Sequence, residues 1–389
     1  EYRENLTAIG RDCRAAGVPL VLSTMVYNLS DWPPSEASIP GAADLPDRGL
    51  TLKRNVYQAS RAVEAGDLDN GEALSRPGSE AGYALATFWL GRARLARLEP
   101  WQRLPGASPE AEVARGLLIR AASEEARVVV AHRAASEINA VIREVARDPG
   151  VWLADFERDF LARSLAPGFD LFEDQCHPNL VGQQAMAETL FALLRSRGLP
   201  APAGEWLQLP AWDEATFRRV QGLDDPFIHR VELTMAVFLG IKKELPFGSA
   251  ETRRRLKLAQ DADPADPLPA LIDAVVSAYY PQPGPARGLS EYYRRDPEAV
   301  ARLVRERLTP LVELKGHRLV VRTQPDFFIP PLGGMIRREF FRKGKVDLPS
   351  FEGLDTRTVV FELDRDGRTS IIPPLNNPEN IPKERATPR

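Results

Sequence analysis

At 389 residues and 43.2 kDa, the chain exceeds a single domain of roughly 100 to 200 residues, so two or three units are expected. Its 43% hydrophobic and 27% charged residues are those of a soluble globular protein with ample core material. A net charge of -3, with acids and bases interleaved, argues against nucleic acid as a partner, and only two cysteines, Cys13 and Cys176, exclude a disulfide scaffold.

The apolar runs Val18 to Val26 and Val231 to Ile241 fall short of the roughly 20 residues a membrane span needs. The chain starts without Met inside a helical pattern, Glu1-Tyr-Arg-Glu-Asn-Leu6. The expectation is a further N-terminal portion upstream, together with any signal peptide or anchor.

In chain order, Leu6, Ile9 and Cys13 mark a helix face over residues 1 to 16, and Gly17 ends it. Val18-Pro-Leu-Val-Leu-Ser-Thr-Met-Val26 follows as an unalternated apolar strand, the pattern of a parallel sheet covered on both faces. Asn28, Ser30 and Asp31 come next, at the strand end where open α/β sheets place ligands, although polar loop and cap roles are the favoured account of them.

A Pro/Gly-rich passage, Pro33 to Gly49, leads into an Ala-rich helical stretch from about Leu52 to Val130. Its segments Gly82 to Ala93 and Glu110 to Ala121, separated by Pro105-Gly106, resemble one tetratricopeptide helix pair or a plain helical hairpin. Ser136 to Val145 is then helical through Ile138, Val141, Ile142 and Val145. Asp148-Pro-Gly150 stops it, and Val151-Trp-Leu-Ala-Asp-Phe156 reads as a second buried strand. A loop follows, and Leu180 to Leu194 closes the unit as a helix.

That loop, Leu171-Phe-Glu-Asp-Gln-Cys-His-Pro-Asn-Leu-Val-Gly182, carries the strongest chemical signal. Asp174 three residues before His177 can accept the proton on one imidazole nitrogen and leave the other free as a base. The competing reading is a helix-entry turn in which Asp174 caps backbone amides. Cys176 lies between them and is expected to pack, its side chain pointing away from that of His177.

The order of these parts, with a strand ending in Asn28, an inserted helical region, Arg133-Ala-Ala-Ser-Glu-Ile-Asn139, a strand ending in Asp155 and Asp174-Gln-Cys-His-Pro-Asn179 before a helix, resembles SGNH/GDSL hydrolases. The resemblance covers residues 1 to 198 and implies an α/β fold, a three-layer α/β/α sandwich on a parallel sheet. It also implies ester (acyl) hydrolysis, with His177 as general base and Asp174 as its orienting carboxylate. Asn28, Arg133 and Asn139 are expected to bind substrate or support the site, with fastening of the insertion favoured for the last two. The family's serine belongs to a Gly-Asp-Ser block that this sequence lacks, as it lacks a Gly-x-Ser-x-Gly elbow. The nucleophile is therefore expected upstream of Glu1, and this chain alone is expected to be inactive. The expected substrate is a small-molecule, glycan or lipid ester, and an extracytoplasmic or membrane-associated bacterial setting suits the resemblance. The alternative is a non-catalytic scaffold that binds protein partners through its helical pairs and C-terminal tail.

No cofactor or metal is expected. His132, His177, His229 and His317 are widely spaced with no H-x-x-x-H or C-x-x-C pair, and Leu332-Gly-Gly-Met335 lacks the lysine of a phosphate loop. The organisation expected is thus 1–32 and 131–198 as the hydrolase-like units, 33–130 as the insertion, 205–312 as a helical repeat-like domain and 313–389 as a β-rich segment with an extended tail. Within the helical region Val231, Met235, Phe238 and Leu239 form a core stripe. Further on, Thr356 to Asp364 and Thr369 to Ile372 around Asp366-Gly367 signal a hairpin. Arg337 to Lys345 is a basic run with two aromatics, read as a solvated face or a contact for an anionic partner, and Pro373 to Arg389 is an extended tail.

Overall fold

The structure, a computed structural model, describes residues 1–34, 46–128, 136–206, 214–241, 250–278, 285–308, 312–322 and 358–372. Arg133, the basic run and the C-terminal tail lie outside the described residues. The chain divides into Glu1–Phe217 and Arg218–Arg389. It is an α/β protein with a two-stranded parallel sheet in the first unit and a four-stranded antiparallel sheet in the second. No described helix is long and apolar enough to cross a membrane.

The first unit begins with α1 (Tyr2–Ala15) and β1 (Leu20–Ser23), joined through Gly17 at φ 68°, a conformation that suits glycine. The helix turns Leu6 and Gly10 inward, whereas Ile9 is exposed. The close approach of Val151 at Gly10 sets this rotation, because the small residue lets the helix lie against the sheet. Four helices follow: α2 (Pro46–Glu64), α3 (Leu68–Glu80), α4 (Ala84–Arg97) and α5 (Pro109–Val128). α4 and α5 form the helix pair read from Gly82 to Ala121, with Gly91 beneath Leu118. Tyr27 and Leu29 share the core of this helical layer with Phe88, Trp89 and Leu118, so the segment after β1 is built into the insertion.

The chain returns through α6 (Ser136–Val145) to β2 (Val151–Ala154), which pairs parallel with β1 from Leu20↔Val151 to Ser23↔Ala154. Leu20, Leu22, Val151 and Leu153 project from one face onto Leu6 of α1 and Ile138, Val141, Ile142 and Val145 of α6. The expected strand through Phe156 is shorter, because Asp155 caps a helix that the sequence reading placed in a loop, α7 (Phe156–Arg163), by accepting the Arg158 amide. α8 (Leu180–Ser196) closes the unit. Phe160 of α7 and Ala185 of α8 bury Leu171 and Phe172 between them, which anchors the segment before the Asp/His turn.

The second unit holds α9 (Glu214–Gln221) at its boundary, then α10 (Asp225–Ile241), α11 (Ala250–Ala262), α12 (Leu268–Ser277), α13 (Arg287–Arg295) and α14 (Pro297–Arg307). Its sheet runs β3 (Val312–Lys315), β4 (Arg318–Arg322), β5 (Thr358–Glu362), β6 (Arg368–Ile372), all antiparallel. β5 and β6 form the hairpin around Asp366-Gly367, while β3 was not anticipated. Helices and sheet share one core, in which Leu233, Leu271 and Val304 meet Leu319, Val359 and Phe361. On α10 the inward face is Leu233, Ala236 and Val237; of the expected stripe, Leu239 is buried and Val231 and Met235 are half-buried, and the Phe238 side chain lies outside the described residues.

At the C-terminal ends of β1 and β2 lies a charged network. Arg143 of α6 donates to Asp155 through Nε (2.9 Å) and Nη2 (2.8 Å) and to Glu157 (2.6 Å), while Thr24 donates to Asp155 Oδ1 (3.1 Å) and accepts from the Glu157 amide (2.9 Å). Burial works against the Asp155 charge, but the bidentate guanidinium, the Arg158 amide and the Thr24 hydroxyl together hold its pKa below the ordinary carboxylate range. A depressed native pKa contributes stability that is complete above the unfolded-state value and is lost as pH falls through the native one. Asp155→Asn should therefore melt below the wild type at neutral pH. Thermal unfolding from pH 7 to pH 2 should show that gap closing below the ordinary aspartate range; a gap that persists unchanged at the lowest pH would contradict the assigned pairing.

Candidate active site

The Asp/His turn is held in shape by backbone bonds within the loop. Glu173 donates to the carbonyl of His177 (2.8 Å), and Asn179 donates to that of Leu171 (3.0 Å), so the loop folds back on itself like a small hairpin with Phe172 bridged to Pro178. Asn179 then caps α8, its side chain accepting from Gly182 (3.0 Å) and donating to the Phe169 carbonyl (3.1 Å). A Cβ at Gly182 would overlap the Leu171 carbonyl oxygen. Glycine at this position is therefore required by proximity.

Asp174 serves both roles between which its sequence left a choice. Its Oδ1 accepts the amides of Cys176 and His177, each at 2.9 Å, an Asx turn that fixes the carboxylate. Its Oδ2 lies 2.8 Å from Nδ1 of His177. An ionised carboxylate can only accept, so the proton of that bond is assigned to Nδ1, and in the neutral ring the lone pair is then on Nε2. The His177 side chain is 75% exposed and that of Asp174 16%. Among the described residues nothing hydrogen-bonds to Nε2, which leaves it accessible as a base.

Cys176 departs from expectation. Its Sγ lies 3.8 Å from Nδ1 of His177, because the Asx turn curls both side chains to one side. That nitrogen already faces Asp174, so the thiol does not lie on the nitrogen left to act as base. Neither Cys13 nor Cys176 is disulfide-bonded.

Asn28 is not the end of the strand, since β1 stops at Ser23, but it is fully buried and ties the segment after β1 to the turn. Its Nδ2 donates to the Asp174 carbonyl (3.1 Å), its amide donates to the Gln175 carbonyl (2.9 Å), and its Oδ1 accepts the Asp31 amide (2.9 Å). Asn139, equally buried, pairs with the Met25 backbone in both directions at 2.8 and 2.9 Å, so it fastens α6 to the end of β1. The structure thus brings Asn28, Asp174 and His177 together and gives Asn139 a fastening contact one step back along the chain. Arg133 is among the residues not described.

A second brace joins residues far apart in the chain. Asp31 accepts from Arg92 of α4 (2.6 Å) and from the Phe169 amide (2.9 Å), and Gly168 abuts its carboxylate where a Cβ would overlap. This joins the insertion to the loop ahead of the Asp/His turn. The pairing spans 61 residues, so no local pattern announces it.

The chain matches no family model, no curated protein and no solved structure.

Two substitutions probe the support. Asn28→Ala leaves buried carbonyl and amide groups unmet, at a cost of about 1 to 3 kcal/mol, and Gly182→Ala should cost a similar amount through overpacking. Denaturant titration should record both losses, and hydrogen exchange should show faster opening of residues 171–179; unchanged stability and protection in Asn28→Ala would contradict the clamp.

Proposed function

We propose that the first unit is an SGNH-like ester (acyl) hydrolase domain in which His177 is the general base, Asp174 orients it, and a serine from a Gly-Asp-Ser block preceding Glu1 is the nucleophile. The observation that carries this reading is the 2.8 Å contact between His177 Nδ1 and Asp174 Oδ2 in a turn bonded to Asn28 of the segment that follows β1, with Nε2 left open.

In this mechanism Nε2 accepts the serine proton as Oγ bonds to the ester carbonyl carbon. The tetrahedral intermediate collapses by breaking the carbon–alkoxy bond, and the imidazolium returns its proton to the departing alcohol. Water then repeats the sequence on the acyl-serine, releasing the carboxylic acid and restoring the base. Asp174 keeps its charge throughout; its contribution is to hold the Nδ1–H tautomer and to stabilise the imidazolium. Asn28 supports the turn through backbone contacts and Asn139 fastens the neighbouring helix, so neither is assigned a proton-transfer role.

A second reading, a scaffold that binds protein partners, is favoured by the packed helical pair of α4 and α5, where Gly91 sits under Leu118. The two readings differ in their dependence on one side chain. In a chain that carries the proposed Gly-Asp-Ser segment ahead of Glu1, hydrolysis of short-chain p-nitrophenyl esters should fall by at least about 10³-fold in His177→Ala and in Asp174→Asn, while residues 1–389 alone should turn over no faster than their own His177→Ala variant. Ester hydrolysis indifferent to His177, or none in the extended chain, would refute the hydrolase reading.

A further inference from the structure

A second cluster of titratable side chains lies in the C-terminal unit and uses none of the residues assigned above. His317 occupies the tight turn between β3 and β4, where Lys315 pairs with Arg318 and Gly316 takes φ 58°. Glu362 is the last residue of β5, in register with Arg318, and Asp364 lies in the following turn before β6. Two neighbouring hairpin turns thus present three donors together. The His317 Nε2 lies 3.2 Å from Glu362 Oε2 and 3.6 Å from Asp364 Oδ2, and one ligand atom from each residue lies within 4.8 Å of the others.

We propose that His317, Glu362 and Asp364 form a binding site for a first-row divalent cation such as Zn2+. Metal–nitrogen and metal–oxygen bonds of about 2.0 to 2.2 Å in tetrahedral array place neighbouring ligand atoms about 3.3 to 3.6 Å apart, close to both spacings from the imidazole. One imidazole with two carboxylates is a donor set for Zn2+, Co2+, Ni2+ or Mn2+, and it would leave coordination positions for water.

The backbone of the site is held independently of any ion. Leu363 donates to the His317 carbonyl (2.9 Å), extending the β4–β5 ladder past Arg318, and Gly367 donates to the Glu362 carbonyl (2.9 Å), closing the β5–β6 turn. Tyr293 donates its hydroxyl to the Gly316 carbonyl (3.0 Å). Arg318 donates to Glu362 Oε1 (2.9 Å), which engages the oxygen turned away from His317 and leaves Oε2 for the cation. The side chains of His317 and Asp364 are 45% and 42% exposed, enough for an ion to enter without opening the core.

Sequence spacing concealed this group, since His317 and Asp364 are far apart in the chain and come together only through strand pairing. Asp174, Cys176 and His177 form another set of potential ligand atoms, so the test separates the two. The intact chain should take up Zn2+ in equilibrium dialysis, with one equivalent retained in the Cys176→Ala/His177→Ala variant. His317→Gln and Asp364→Asn, each checked for native circular dichroism, should each weaken that equivalent by at least about 10-fold, the smallest effect seen even for outer-shell partners of metal ligands. Co2+ bound in the Cys176→Ala/His177→Ala variant should give ligand-field absorption without a thiolate charge-transfer band. No uptake, uptake unchanged in folded His317→Gln and Asp364→Asn, or uptake abolished by Cys176→Ala/His177→Ala would overturn the proposal.

Discussion

Asn28 is the point at which the strand pair and the Asp/His turn become one object. A buried side-chain amide in the segment beyond a strand must satisfy its donors and acceptor, and here it does so with the Asp174 carbonyl and the Asp31 amide while its own backbone meets Gln175. The turn is therefore registered against the segment that follows β1 by hydrogen bonds rather than by apolar packing alone. Apolar contact tolerates sliding, whereas the two directional bonds that Asn28 makes to the turn, with its own side chain fixed by the Asp31 amide, do not. The position of His177 follows from that registration.

Two further devices support it from either side. Asn139 grips the Met25 backbone and so prevents the strand end from drifting away from α6. Asp31, paired with Arg92, links the helical insertion to Phe169 at the entry to the loop. The Arg143–Asp155–Thr24 network closes the neighbouring strand end. The polar groups at this edge are mutually engaged, and the His177 side chain stands out from them, largely exposed and with one nitrogen uncommitted.

The local features were legible in the sequence because their causes are local. Gly17 ends α1, the aliphatic spacing of Ser136 to Val145 makes α6, and Asp174-x-x-His177 reads as a turn capable of holding an imidazole. α7 is not apparent from periodicity although Asp155, followed by Glu157 and Asp159, is a helix-start pattern; the preceding apolar run extends the expected strand two residues too far, to Phe156 instead of Ala154. The inward rotation of α1 onto Gly10 and that of α10 onto Leu233, Ala236 and Val237 are set by what packs against them, which periodicity alone does not specify. Proximity of Cys176 to His177 was hidden for a different reason, since it depends on both backbone amides turning toward one carboxylate oxygen. The long-range pairs, Arg92 with Asp31 and His317 with Glu362 and Asp364, leave no trace in spacing at all.

The central claim is that Asp174 fixes the tautomer of His177 and leaves Nε2 as the base, and nitrogen-15 chemical shifts of the His177 ring measure this directly. At a pH where the ring is neutral, the account predicts a protonated Nδ1 and an unprotonated Nε2 in the wild type, with that preference lost in Asp174→Asn. A ring protonated at Nε2 in the wild type, or one whose tautomer is the same with and without the Asp174 carboxylate, would contradict it.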